Sequence, residues 1–95
     1  WASENTHEES IKSMANYLLA NIYFVTDKLD DAMMVAVKID TIGFQTLKKD
    51  IIGDIYLKQS NEKEARKSYI EALKLYKGQG DIRKVIQNKI DSIGQ

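Results

Sequence analysis

Apolar residues recur along this chain at helical spacing almost from end to end. Ile11, Met14, Leu18 and Ile22 follow one another at steps of three, four and four, and Leu19 and Tyr23 widen the stripe. That pattern predicts a helix over about residues 8 to 25, buried on more than one side. Thr6, with Glu9 three residues later, supplies a capping-box pattern at its start. A second helix follows Asp27 as N-cap, turns Leu29, Ala32, Met33, Ala36 and Val37 inward, and ends near Asp40 to Gly43. A third runs from about Phe44 to Gln59 on Phe44, Leu47, Ile51 and Ile55, with Ile52 and Tyr56 as a second buried row. Asn61 and Glu64 repeat the N-cap and N3 chemistry and open a fourth, which carries Ala65, Tyr69, Ala72 and Tyr76 and is stopped by Gly78 and Gly80. The fifth, from about Asp81 to Ile93, turns Ile82, Ile86, Ile90 and Ile93 inward and Arg83, Lys84 and Lys89 outward.

The first and third helices are copies of one another. Leu19-Ala20-Asn21-Ile22-Tyr23 aligns with Ile52-Gly53-Asp54-Ile55-Tyr56 at an offset of 33 residues, and Ala32 matches Ala65 at the same offset. A small residue at Ala20 or Gly53 lets the paired helix approach, the tyrosine packs across the pair, and Ala32 or Ala65 presents a small surface in return. Tyr69 and Ala72 complete the pattern four and seven residues after Ala65, so the second hairpin resembles a tetratricopeptide repeat, whose period is about 34 residues. The first hairpin is a degenerate copy with Ala36 and Ile39 at those places. The expected fold is therefore all-α, a fragment of an α-solenoid of helical hairpin repeats with about five helices. Residues 1–7 end a preceding repeat, 8–40 form the degenerate repeat, 44–78 the full one, and 81–95 a C-terminal capping helix.

A narrower resemblance extends over nearly the whole chain. Trp1-Ala2, then Thr6, Glu9, Ser10 and Lys12, the core of the first helix, the segment from Ile52-Gly53-Asp54 to Ala65-Arg66, and the closing Asn88-Lys89-Ile90-Asp91 are together similar to the C-terminal part of the YfgM family. Members of that family are ancillary subunits of the bacterial SecYEG translocon, with a short cytoplasmic segment, one inner-membrane helix and a periplasmic repeat domain that associates with periplasmic chaperones. The resemblance implies a bacterial inner-membrane location on the periplasmic side, with translocon or periplasmic chaperone partners. It places Trp1-Ala2 at the end of a preceding repeat's second helix. The membrane anchor of the family is not within these residues, so any membrane attachment lies outside this stretch.

Composition narrows the chemistry. There is no cysteine and one histidine, which removes zinc ribbons, disulfide scaffolds and a thiol nucleophile. His7, Glu8 and Glu9 are adjacent, so on a helix they point about 100° apart and do not converge on one ion. Asp27, Asp30 and Asp31 lack the turn glycine and closing glutamate of a calcium loop, and Gly78 and Gly80 have no phosphate-loop lysine after them. No metal, cofactor or catalytic activity is expected. The 14 basic and 14 acidic residues balance overall, but residues 1–45 carry a net charge of −4 and residues 46–95 one of +4. Acids interleave with the bases, so this is no nucleic-acid footprint; Lys63, Lys67, Lys74 and Lys77 read as a solvated outer face of the fourth helix.

Repeat proteins of this type bind through the concave face lined by the first helix of each hairpin. Offsets from Ala20 and Gly53 put Tyr17, Asn21 and Phe24 on that face from the first helix, and Asp50, Asp54 and Leu57 from the third. The mixture departs from a carboxylate clamp, because Tyr17 stands where a clamp lysine would and Asp50 and Asp54 repel a terminal carboxylate. The function expected is a protein-interaction module whose partner offers an extended or helical segment with apolar and basic residues; the other reading of these six positions is that they are simply exposed polar positions. The alternatives are a generic cytoplasmic repeat scaffold and a self-association module, since an apolar helix face left without a neighbour can be covered by a second copy as a homodimer.

Overall fold

The computed structural model describes residues 2–78 and 80–93, with side chains from His7 onward. Five α-helices run in order, α1 (Ala2–Val25), α2 (Leu29–Ala36), α3 (Gln45–Lys58), α4 (Glu62–Leu75) and α5 (Asp81–Ser92), and a 3-10 turn, Ile42–Phe44, precedes α3. There is no strand among the described residues, as the periodicity requires. The chain is elongated, 50 × 31 × 18 Å, with α1 pairing with α2, α3 with α4, and α5 against α4.

The repeat is visible in the backbone of the two hairpin turns. Asp27 and Ser60, 33 residues apart, both adopt the left-handed conformation, at φ 67° and 65°. In each turn the amide after that residue reaches back five residues, Lys28 to the Tyr23 carbonyl and Asn61 to the Tyr56 carbonyl, both at 2.8 Å. This closure satisfies carbonyls left open by the ending helix and reverses the chain onto itself. Asp27 is therefore a turn residue and not the N-cap expected of it. The N-cap of α2 is Lys28, which makes no side-chain capping bond, whereas Asn61 Oδ1 accepts from the Glu64 amide at 3.4 Å as the pattern anticipated.

Other boundaries shift for equally local reasons. The first helix is continuous from Ala2, so Thr6 lies within it and does not cap it; Trp1 and the Thr6 side chain fall outside what is described. The second helix stops at Ala36, well short of Asp40, and Ile39 is fully buried in the connection beyond it. Thr41 fixes that connection to α1: its hydroxyl accepts from Ser13 at 2.7 Å and donates to the Glu9 carbonyl at 3.0 Å.

Two apolar clusters make the core. One joins Ala20, Ala32, Val35, Ala36, Ile51, Ile52 and Ile55; the other joins Ala65, Tyr69, Ala72, Ile86 and Ile93, and Tyr56 packs against both. The small residues act as the alignment requires, since Ala20, Ala32 and Ala65 are completely buried where helices meet. The inner face of α1 is not the one its long apolar residues suggest. Ile11, Met14, Leu18 and Ile22 are exposed, and the helix packs through Ser13, Tyr17, Ala20 and Phe24 instead. In α2 Val35 is buried and Val37 exposed, and in α5 Ile82, expected inward, is exposed in the first turn.

Candidate functional site

Tyr17, Asn21 and Phe24 occupy positions of α1 equivalent to those of Asp50, Asp54 and Leu57 in α3. Steps of four and three place each triplet on one line of its helix. Neither line is freely open. Tyr17 and Phe24 are half-buried against the first core cluster, which includes Ile51 and Ile55 of α3, and the Asn21 amide donates to the Tyr17 carbonyl at 3.0 Å. Leu57 is 39% exposed. The first triplet thus runs along the seam between α1 and α3, and the second along the seam between α3 and α5.

A lysine closes each seam. Lys58 places its ammonium 4.7 Å from the centre of the Phe24 ring and donates to the Phe24 carbonyl at 3.3 Å, with Asp27 at 3.5 Å. Lys89 of α5 is held more strongly. Its ammonium donates to Asp50 Oδ1 at 3.0 Å and to Asp54 at 3.1 and 3.3 Å, and lies 5.6 Å from the centre of the Tyr69 ring. The Tyr69 hydroxyl donates to the same Asp54 oxygen at 2.5 Å. Lys89, expected outward, is therefore turned inward, and Asp50 and Asp54 are bound within the chain and not free to repel a carboxylate as expected.

The electrostatics follow from the partial burial of this cluster. Burial pushes the Asp50 carboxyl above its ordinary 3.8; the hydrogen bond from Lys89 opposes this, and the charge of Asp54 adds to it. Burial alone lowers the Lys89 ammonium, but its hydrogen bond to Asp50 and the charges of both carboxylates outweigh that and hold it above 10.5. The Tyr69 phenol rises far above 10.0, first through burial and then through its hydrogen bond to Asp54. At neutral pH the site is two carboxylates, one ammonium and a neutral phenol donor, a cradle for a cation. No group of three or more His, Cys, Asp or Glu is placed to hold a metal among the described residues.

Sequence reasoning missed Lys89 and Tyr69 as members of this site. The signal was present for Lys89, which lies three residues after Ile86 and four before Ile93, on the same stripe as those two buried side chains. Arg83, also expected outward, is half-buried and donates to the Tyr76 carbonyl at 3.2 Å. A groove of about 660 Å³ at the other end of the molecule, lined by Glu9, Ser10, Asp40, Thr41, Ile42, Gly43 and Phe44, gave no sequence signal. The lysines Lys63, Lys67, Lys74 and Lys77 are exposed, and no helix among the described residues is long and apolar enough to cross a membrane.

A family model described as a tetratricopeptide repeat-like domain matches residues 1–95. No curated protein and no solved structure matches the chain.

Proposed function

We infer the function from one premise, that the chain belongs to the tetratricopeptide repeat-like family: it is a non-catalytic protein–protein interaction module. The partner docks along the seams between first helices, over Tyr17, Asn21 and Phe24 of α1 and Asp50, Asp54 and Leu57 of α3. It offers a segment with apolar and basic residues. The observation that carries this reading is the Lys89 ammonium, seated on Asp50 and Asp54 with three charge-assisted hydrogen bonds. A site that holds a lysine from its own chain has the geometry to hold one from a partner; exposed Leu57, one turn beyond Asp54, and half-buried Phe24 on the neighbouring seam supply apolar contact.

The partners are translocon or periplasmic chaperone proteins, met on the periplasmic side of the bacterial inner membrane. This rests on the resemblance of Thr6 to Lys12, Ile52 to Arg66 and Asn88 to Asp91 to the YfgM family. Photo-crosslinking residues placed at Phe24 and Leu57, with a control at Lys74 on the outer face, test both parts in envelope fractions. Crosslinks to translocon or chaperone subunits from the first two positions and none from the third are expected. Equal labelling from all three, or products confined to unrelated proteins, contradicts the reading.

A further inference from the structure

The second helices of the two hairpins, α2 and α4, begin at Leu29 and Glu62, the offset of the repeat, but α2 is 8 residues long and α4 is 14. Between them, across α3, runs a groove of about 400 Å³, within the size range of small-molecule sites. Neither α1 nor α5 lines it, so the groove belongs to the packing of the hairpins and to neither end of the chain. One part of it is apolar. Met33 and Tyr56 are half-buried against the first core cluster, Ile52 is buried, and Val37, where α2 gives out, is 53% exposed. The rest is polar. Ser68 is 6% exposed, yet its hydroxyl makes no hydrogen bond among the described residues. Lys49 is paired with Glu71 at 3.8 Å, whereas Lys48, Lys67 and Glu64 have no ion-pair partner among the described residues.

We propose that this groove binds a small monocarboxylate with an apolar body. The carboxylate accepts from the Ser68 hydroxyl and is neutralised by the ammonium groups of Lys48 and Lys67, and the body covers Met33, Val37 and Tyr56. A hydroxyl this deeply buried is ordinarily hydrogen-bonded, and an acceptor on the ligand supplies the missing partner, which is why Ser68 carries the assignment. Charge then selects the ligand. Three ammonium groups, on Lys48, Lys49 and Lys67, share the groove with the carboxylates of Glu64 and Glu71, which leaves it one positive charge. That balance repels a cation, and a neutral amphiphile leaves Lys48 and Lys67 without a counter-ion. A free inorganic anion satisfies the charge but leaves the apolar wall in water. Ile52 and Asp54 are two residues apart on α3, about 200° around the helix, so the groove opens on the side opposite the docking seam. The two readings therefore stand or fall separately.

Octanoate, kept below the concentration at which it aggregates, is the probe, titrated into the isotope-labelled chain and followed by two-dimensional NMR. Saturable shifts are expected at the amides of Lys48, Lys67 and Ser68, with those of Tyr17 and Asp50 on the docking seams unmoved. Octylammonium should give no saturable shift, and octanol should bind about tenfold more weakly than octanoate. Ser68→Ala and Lys48→Met should each weaken octanoate about tenfold, the worth of a hydrogen bond to a charged group, with the helical circular dichroism unchanged. Lys74→Met, on the outer face of α4, should leave the affinity as it is. Shifts that rise without saturating overturn the proposal, and so does an equal response to octylammonium or an octanoate affinity unchanged in both Ser68→Ala and Lys48→Met. If either variant loses its circular dichroism, the comparison of octanoate with octylammonium on the unmodified chain decides.

Discussion

Gly53 lies directly beneath the ring of Tyr69: a β carbon at Gly53 would stand 2.5 Å from Cε1 and 2.7 Å from Cδ1 of that ring. The contact joins α3 to α4, and Tyr69 is itself completely buried, so the ring has little room to give. Gly53→Ala gains about 1 kcal/mol in helix propensity. Overpacking of this kind costs about 1–3 kcal/mol, and here the displaced ring also carries the hydrogen bond to Asp54. Urea unfolding should show Gly53→Ala less stable than the parent by up to about 2 kcal/mol, the overpacking cost less the propensity gain; a higher midpoint would mean that the helices separate at no cost.

Lys89 neutralises two carboxylates whose side chains are only 21% and 24% exposed. Lys89→Met keeps the apolar stem and removes the charge, leaving Asp50 and Asp54 to repel each other in a poorly solvated place. The expected loss is about 1.5–3 kcal/mol, the worth of charged hydrogen bonds. Adding Asp50→Asn to Lys89→Met should return part of that loss, because one of the stranded charges is then gone. Additive effects of the two substitutions would show that the ion pair contributes nothing.

The pH dependence follows from the same cluster. Lys89 and Tyr69 both have folded-state values above their ordinary 10.5 and 10.0, so each binds its proton more tightly in the folded chain. Their contributions are fully present below pH 10.0 and are lost as the pH rises beyond it. Asp50 acts at the other end: its value is raised above 3.8, so its ionisation costs stability as pH rises through that acid window, and protonation there returns it. Thermal melts should therefore be flat through neutrality and fall above about pH 10, with a smaller fall in the Tyr69→Phe, Lys89→Met double variant. An identical alkaline fall in that variant would assign it to other groups.

Ser13 is 2% exposed, and its hydroxyl donates a hydrogen bond to Thr41, whose own hydroxyl donates to the Glu9 carbonyl. Thr41→Val leaves the Ser13 hydroxyl without that acceptor and should cost about 1–3 kcal/mol in chemical unfolding. Combining it with Ser13→Ala should recover most of the loss, since both ends of the bond are then apolar. No recovery would mean that Thr41 acts mainly through Glu9.

The helices, their number and the small-residue contacts were legible because they depend on local spacing. Ala20, Ala32, Ala65 and Gly53 are where the 33-residue offset put them, all buried. The inner face of α1 was not legible from hydrophobicity, because its exposed stripe is more apolar than the seam of Ser13, Tyr17, Ala20 and Phe24 that the core uses. The offset held better information than the side chains: it carries Asn61 back to Lys28, the observed N-cap, whereas the carboxylate of Asp27 suggested a cap one residue early. The pairing of Lys89 with Asp50 and Asp54 joins residues 39 and 35 positions apart, and only the packing of α5 brings them together. A lysine between isoleucines on one stripe was its trace in the sequence.

The most direct test of the docking account is a fluorescence anisotropy titration with a labelled amphipathic peptide of leucine and lysine, against the chain and its variants. The account predicts binding that weakens about tenfold or more in Phe24→Ala and in the Asp50→Asn, Asp54→Asn pair, each losing about 1.4 kcal/mol or more of contact. It predicts tighter binding in Lys89→Met, where the carboxylates are released, and loss of binding when glutamate replaces lysine in the peptide. Affinity that is indifferent to Lys89 and to both carboxylates would contradict it.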